Sequence, residues 1–189
     1  MNLNQWTDLN YLLKGNATQA EVYQLLQEHK ILDLLGEYNP ILVGTVPIEI
    51  NVIGSDLDII CEVQDFIKFE LIAREKFSTY LGFSVTKEME RITINFTIKD
   101  WPIEVFGQGM DTTEQNGFKH MIIEYRMLEL YGHNFKKQII KLKQTGLKTE
   151  PAFTKLLNLK GDPYLKLLEL YNCKDEELRE MWIDSDDVA

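Results

Sequence analysis

The stretch Gly44-Thr45, followed ten residues later by Gly54-Ser55-Asp56-Leu57-Asp58-Ile59, is the most informative part of this chain. Aspartate is depleted in β-strands, yet two aspartates open a strand here. At positions i and i+2 of an extended chain, Asp56 and Asp58 point to one face, and the apolar residues between and after them point to the other. Two carboxylates held that close repel each other unless a cation lies between them. The pattern therefore favours a divalent cation at the start of this strand.

A third carboxylate comes from Ile103-Glu104-Val105, where the acid is flanked by two strand-forming apolar residues. If this strand pairs beside the D-x-D strand, Asp56, Asp58 and Glu104 converge on one side of the sheet. Three acids from two adjacent strands are typical of a two-metal site for phosphoryl or nucleotidyl transfer, with Mg²⁺ or Mn²⁺ as the cofactor. Taken singly, the D-x-D motif is also compatible with a turn cap, and the glutamate with a solvated strand position.

Hydrophobic patterning around these motifs predicts an α+β fold. Helices are predicted at 18–35 and 64–81, and strands at 41–45, 56–63, 83–89, 91–98 and from Trp101 onward. The connection Val46–Ile53 is expected to be extended. From Thr113 the pattern is helical, with helices predicted at 113–131, 134–144, 149–157 and 163–170. We therefore expect a mixed sheet flanked by helices over 1–110, with a helical C-terminal region, 111–189, packed on it as one compact unit.

Composition narrows the classes of protein that fit. The chain has 189 residues, a formal net charge of −10, 44% hydrophobic and 26% charged residues, which is typical of a soluble globular protein. No apolar run is long enough to cross a bilayer. Two distant cysteines, Cys61 and Cys173, predict free thiols in a reducing cytoplasm. The acidic balance argues against a protein that wraps nucleic acid, although residues 119–148 carry seven basic and only two acidic side chains.

This basic segment supplies secondary candidates. Lys119 and Arg126 share one face of a predicted helix and are candidates for nucleotide-phosphate contacts, although solvated helix charges are the plainer interpretation. His120 and Glu124 are expected to form a surface i, i+4 pair, with no third ligand for a zinc site. The lysines of 136–143 are expected to flank a packed helix face rather than a membrane. The acidic end, which includes 184–187, is expected to be a solubilising tail that docks through Trp182.

The order G-T, G-S-D-L-D-I and I-E-V resembles the active-site pattern of the DNA polymerase β-type nucleotidyltransferase superfamily. The segments GTVPIEINVIGSDLDIICEV, EQNGFKHM and GLKTEPAFTKLLNLKGDPY resemble, more closely, a bacterial family known only as a domain of unknown function within that superfamily. The closer resemblance covers roughly residues 15 to 170. It implies a nucleotidyltransferase-like sheet and a Mg²⁺-dependent enzyme that moves an NMP from an NTP to a hydroxyl or phosphate acceptor.

The same resemblance implies roles for individual residues. Gly44 and Ser55, within the turns Gly44-Thr45 and Gly54-Ser55, would support the triphosphate. Asp56 and Asp58 would bind both metals, and Glu104 would complete one metal shell and assist deprotonation of the acceptor. Thr45 departs from the serine usual in the superfamily, as does the expected extended stretch after it, where many members have a short helix.

The implied partners are an NTP and an acceptor that is a small molecule, a protein side chain or an RNA end; no membrane and no extended nucleic acid are expected. Two alternatives use the same fold and carboxylates. One is a non-catalytic module that binds nucleotide or a partner protein, and the other is a metal-dependent phosphohydrolase with water as the acceptor.

Overall fold

A mixed five-stranded sheet organises the first part of the chain in the computed structural model, which describes residues 3–182. The strands are β1 (Ile41–Val43), β2 (Leu57–Glu62), β3 (Leu81–Lys87), β4 (Arg91–Ile98) and β5 (Trp101–Gln108). Their order across the sheet is β1-β2-β5-β4-β3. Strands β2 and β5 are parallel, and every other neighbouring pair is antiparallel.

Helices precede, interrupt and follow these strands. They are α1 (Ala17–Glu28), α2 (Ile31–Leu34), α3 (Phe66–Phe77), α4 (Asn116–Gln144), α5 (Thr149–Leu156), α6 (Pro163–Leu170) and α7 (Asp175–Arg179). Short 3₁₀ turns lie at Leu3–Trp6, Leu9–Lys14, Gly36–Tyr38 and Thr112–Glu114. The predicted α+β class, with its mixed sheet, flanking helices and helical C-terminal half, is confirmed.

Two local predictions are wrong, and each fails at a residue with positive φ. The helix expected over 18–35 is broken into α1 and α2 at Lys30, whose φ is 52°. The connection expected to be extended instead turns at once: the amide of Glu49 donates to the carbonyl of Val46 (3.1 Å), and Glu49 has φ 59°. Val46 is 1% exposed, so this turn is anchored in the core. Left-handed conformations at non-glycine residues carry little sequence signal.

The chain divides into two compact units, one formed by the residues up to Glu49 with Gly54–Phe118, the other by Ile50–Ile53 with the chain from Lys119. In the first unit, alternate residues of β4 and β5 are buried, as is usual for strands with one face on the core. The opposite face of these strands therefore carries the polar side chains.

The second unit is built on α4, which is interrupted at Gly132 (φ 75°, ψ −164°), close to the predicted break between two helices. Its aromatic core joins Phe135 to Tyr131, Phe153 and Trp182 through edge-on contacts, with ring centroids 4.7, 5.6 and 5.0 Å apart. Trp182 therefore packs onto this unit as expected. The acidic residues 184–187 lie outside the described residues.

Both cysteines are free thiols, and burial raises the pKa of the Cys61 thiol. Within residues 3–182, no helix combines the length and the apolar character needed to cross a membrane.

Candidate active site

Two of the three predicted carboxylates lie side by side on the polar face of the sheet. Asp58 of β2 is the direct register partner of Glu104 on the parallel strand β5, and Glu104 is in turn the register partner of Asn95 on β4. Neighbouring strands lie about 5 Å apart, so these three positions form one polar row across the sheet. The D-x-D strand and the glutamate strand are therefore paired, which is the condition for their carboxylates to lie on one side of the sheet. Asp58 and Glu104 are both half-buried.

Asp56 lies immediately before β2 and is exposed. Its side chain lines a depression in the surface of the first unit together with Glu104, Asn95 and Thr97. The depression extends from the carboxylates towards β4 and the start of β3, where Gly82 forms part of its wall. Asp56 and Glu104 therefore face a common space, with an amide and a hydroxyl beside them.

Gly44 is required by the position of Asp58. It has φ 78°, a conformation that L side chains rarely adopt, and a Cβ built on it would collide with Oδ2 of Asp58. The backbone at Gly44 therefore lies so close to the Asp58 carboxylate that any other residue at position 44 would force the backbone or the carboxylate to move. This close approach connects the Gly44-Thr45 turn to the D-x-D strand.

Gly54 also has positive φ, at 84°, but a Cβ there would meet nothing within 4 Å. Glycine is therefore favoured at position 54 only because the turn that leads into β2 needs a positive φ there. Ser55 and Thr45 are half-buried beside these turns. The structure thus brings the Gly44-Thr45 turn against Asp58 of the D-x-D strand, and a glycine with positive φ lies in each of the two turns.

The chemistry of these donors fits a divalent cation. All three candidates are carboxylates, the ligands that Mg²⁺ prefers, and Mg²⁺ is commonly held by one or two carboxylates together with substrate phosphates. In the part of the chain that the structure describes, no group of three or more His, Cys, Asp or Glu side chains is arranged so that it could hold a metal ion. A cation placed at the register pair Asp58–Glu104 would therefore need further ligands, such as the phosphates of a nucleotide.

Arg126 has other partners in the second unit. Its Nε and Nη2 donate to Oδ1 of Asp175 (3.2 and 2.8 Å), Nη1 to the carbonyl of Tyr171 (2.8 Å), and Nη2 also to the carbonyl of Cys173 (2.6 Å). The guanidinium thus fastens the segment between α6 and α7. Lys119 is half-buried and begins the second unit. Contact of either residue with nucleotide phosphate stays a prediction.

The expected surface pair of His120 and Glu124 is wrong. Glu124 is 3% exposed, and His120 instead lies 3.5 Å from Glu150, from Nδ1 to Oε1, with its Nε2 3.0 Å from the carbonyl of Tyr164. Burial raises the pKa of Glu124 well above its ordinary value; the Glu150 carboxylate raises it further, and Lys143 opposes the shift. The sequence signal for a surface pair was the i, i+4 spacing, which also occurs where a helix is covered.

Asn95 and Thr97 are the site residues that the sequence motifs did not identify. Both belong to the polar side of the alternating strand β4, and that alternation was the available signal. Their place beside Glu104 depends on the strand order, with β5 between β2 and β4, and the motifs alone do not specify that order.

Solved structures that are similar to this chain indicate the class of its fold. The chain matches the Cid1 poly(U) polymerase with Mg 3′-dATP bound at a TM-score of 0.57 and 9% identity, covering 84% of this chain and 52% of that one. It matches a cytoplasmic RNA terminal U-transferase (TM-score 0.54, 9% identity, 84% and 50%) and the polymerase core of TRAMP, an RNA surveillance complex (0.51, 13%, 89% and 54%). The fold is therefore nucleotidyltransferase-like, and the chain spans about half the length of these structures.

The family follows from the sequence. The model of DUF4269, a domain of unknown function, matches residues 24–170, and the chain belongs to this family. No curated protein matches the chain by sequence.

Proposed function

We propose that this protein is a Mg²⁺-dependent nucleotidyltransferase that moves a nucleoside monophosphate from an NTP to a hydroxyl or phosphate acceptor. The observation that carries the proposal is the register pair of Asp58 and Glu104 on parallel strands, with Gly44 pressed against the Asp58 carboxylate. A carboxylate pair on the open face of a nucleotidyltransferase-like sheet is suited to cations that accompany a triphosphate.

Each residue has a part in this proposal. Asp58 and Glu104, together with Asp56, would hold the divalent cation, which when bound neutralises charge on the phosphates and activates an attacking oxygen. The turns at Gly44-Thr45 and Gly54-Ser55 would hold the triphosphate through backbone amides and the Ser55 hydroxyl. Glu104 would accept the proton of the acceptor hydroxyl.

The depression beside Glu104 suits the acceptor. Its polar lining includes the Asn95 amide and the Thr97 hydroxyl, which can each donate and accept hydrogen bonds. It lies on the β4 side of Glu104, whereas the two glycine turns adjoin β1 and β2. A site with the nucleotide on one side and the acceptor on the other would place the reacting oxygens near the carboxylates.

Similar structures support a metal–nucleotide site on this fold. Cid1 is described with Mg 3′-dATP bound, and the other two matches are named as an RNA terminal U-transferase and as the polymerase core of an RNA surveillance complex. At 9–13% identity these names suggest only a candidate chemistry, NTP use with an RNA acceptor.

A second candidate is a non-catalytic nucleotide-binding module on the same fold. The observation that favours it is that residues 3–182 contain no three-residue group of metal-binding side chains in a ligating arrangement. Such a module would bind an NTP without turning it over. The phosphohydrolase alternative differs from the main proposal only in using water as the acceptor.

The test combines binding and product analysis. The protein is mixed with each labelled NTP and Mg²⁺ or Mn²⁺, and its melting temperature is recorded with and without metal. A metal-dependent rise in melting temperature, with pyrophosphate release and labelled acceptor, supports the transferase. Binding without turnover supports the module, and free NMP or phosphate without labelled acceptor supports the hydrolase. An unchanged melting temperature with every NTP and metal would refute the proposal.

A further inference from the structure

Residues 130–149 form a stretch of the second unit whose charged side chains are all basic. It contains five lysines, one histidine and no acidic residue, in a chain that has 30 acidic and 20 basic residues. We call it the lysine segment. It comprises the part of α4 that follows the Gly132 break and the beginning of α5.

Three of these lysines are exposed: Lys137, Lys141 and Lys148. Among residues 3–182, no acidic side chain lies within salt-bridge distance of them. In the first unit, by contrast, six of the eight basic side chains pair with an acid: Lys68, Arg74, Lys76, Lys87, Arg91 and Lys99. Lys137, Lys141 and Lys148 therefore present positive charge that no described acidic side chain pairs with, and an anionic partner would relieve the repulsion between them.

The surroundings of these lysines argue against a membrane surface. The apolar face of this helix is buried, with Phe135 and Ile139 both 0% exposed. In the described residues, none of the large exposed hydrophobic side chains falls within 130–149. Membrane-surface helices insert an apolar face between lipids, and this helix has none to offer. An acidic protein partner would equally need apolar or aromatic anchors at the centre of its interface.

A phosphodiester backbone can be bound without an exposed apolar helix face and without apolar or aromatic anchors. Lysine acts as a point charge that neutralises phosphate without reading bases. The lysine segment contains no arginine, and its Tyr131 and Phe135 rings are buried and so cannot stack on bases. Lys137 and Lys141 are one helical turn apart, about 6 Å along the axis, so both can contact one strand. We propose that the lysine segment holds the phosphate backbone of a short stretch of single-stranded RNA, independently of base sequence.

This proposal rests on the charge distribution alone and does not depend on the proposed enzymatic activity. Three lysine–phosphate contacts to a single strand predict a slope of log K against log salt of about −2. Such a footprint of a few nucleotides also agrees with the whole-chain charge, which argues against a protein that wraps long nucleic acid.

The experiment is fluorescence anisotropy of a labelled 12-nucleotide oligouridylate with the full chain, without Mg²⁺ or NTP, over about 50 to 200 mM NaCl. The wild type should bind with the slope given above. Lys137→Gln/Lys141→Gln should bind about tenfold more weakly at the lowest salt, with a slope near −0.7. The matched control, Lys68→Gln/Lys76→Gln, has the same net charge change on the first unit and should bind like the wild type. Circular dichroism checks that all three proteins are folded.

Four results would overturn the proposal: no binding by the wild type, equal weakening in both double variants, unchanged binding in Lys137→Gln/Lys141→Gln, or stronger retention on anionic vesicles or polyglutamate than on the oligonucleotide. If the double variant does not fold, Lys141→Glu alone replaces it, with Lys68→Glu as its control. Because this assay contains neither metal nor NTP, its outcome is independent of the NTP and metal test of the proposed enzyme: RNA binding here together with no NTP binding or turnover there would support this inference and refute the enzyme.

Discussion

The two units place carboxylates in opposite environments. Asp58 and Glu104 share one register row on the polar face of the sheet, beside a depression that Glu104 lines. Glu124 lies within the helical unit, 3% exposed, with its Oε1 lacking any hydrogen-bond partner in the described residues. A carboxylate on the open side of a strand can receive a cation, whereas an enclosed one is held towards its neutral form.

The difference shows how secondary structure sets the chemistry of an acid. Strand alternation leaves one side of β4 and β5 polar, and parallel pairing brings two acids into register there. Helix packing instead covers Glu124, although its neighbour His120 retains a partner in Glu150. If this contrast is correct, changes to the sheet acids should alter function, and changes to the buried acid should alter stability.

The largest effect is expected for Asp58→Asn. Loss of one carboxylate from the register pair should lower metal-dependent nucleotide turnover by at least about a hundredfold, because metal-ion catalysis supplies several kcal/mol of stabilisation. Pyrophosphate release at saturating Mg²⁺ and NTP measures this.

The matched control is Glu62→Gln, four residues further along the same strand and on the same face, where the carboxylate accepts a hydrogen bond from Nδ2 of Asn39 (3.0 Å). Turnover by this variant should stay within about twofold of wild type, because distant surface changes rarely affect catalysis. Equal losses in both variants would show that strand integrity, rather than the position of Asp58, matters.

The next effect compares two glycines. Gly44→Ala should cost about 2–4 kcal/mol of unfolding free energy, since it combines a left-handed backbone with a collision against Asp58. Gly54→Ala should cost only about 1 kcal/mol, because its Cβ enters open space. Urea denaturation measures both. Equal costs would mean that the close approach of Gly44 to Asp58 is absent.

These glycines also show how far the sequence alone could go. Hydrophobic periodicity was enough to predict the α+β class, whereas the pairing of the Asp58 and Glu104 strands was stated only as a condition for the carboxylates to converge. The turn after Gly44 could not be predicted, because it depends on a left-handed Glu49 and on burial of Val46. The burial of Glu124 could not be predicted either, because the i, i+4 spacing of His120 and Glu124 occurs on exposed and on buried helix faces alike.

Arg126→Ala should produce a smaller loss, in stability. Its guanidinium bonds two carbonyls and Asp175, so its removal should lower stability by about 2 kcal/mol and expose the segment before α7 to protease. The same variant tests the predicted contact of Arg126 with nucleotide phosphate: weaker metal-dependent NTP binding would support that contact, and unchanged binding would leave Arg126 a structural role alone. Unaltered stability would contradict the structural role.

Glu124→Gln should have the smallest effect, visible in its pH dependence. Because burial raises the pKa of Glu124 in the folded state, the folded protein binds more protons than the unfolded one above the usual pKa of 4.5. Wild-type stability therefore falls as pH rises from that value towards the raised one, and the glutamine variant lacks this loss. Its stability relative to wild type should grow by about 1 kcal/mol between pH 5 and 8.

The difference in unfolding free energy between Glu124→Gln and the wild type is measured from denaturation curves of both proteins at each pH. The comparison isolates Glu124, because the neighbouring His120, Glu150 and Lys143 are the same in both proteins. Parallel stability profiles from pH 5 to 8 would contradict a raised pKa for the buried Glu124. Metal-dependent turnover should be the same in both proteins at pH 7, as the contrast between the two carboxylate environments requires.

The central claim is that Asp58 and Glu104 jointly hold a metal-bound nucleotide. A crystal structure of the protein with Mn²⁺ and a non-hydrolysable ATP analogue, with anomalous diffraction to locate manganese, tests it most directly. The expected result is a manganese peak ligated by carboxylate oxygens of Asp58 and Glu104 and by the analogue's phosphates. An analogue bound elsewhere, or manganese held by neither carboxylate, would contradict it.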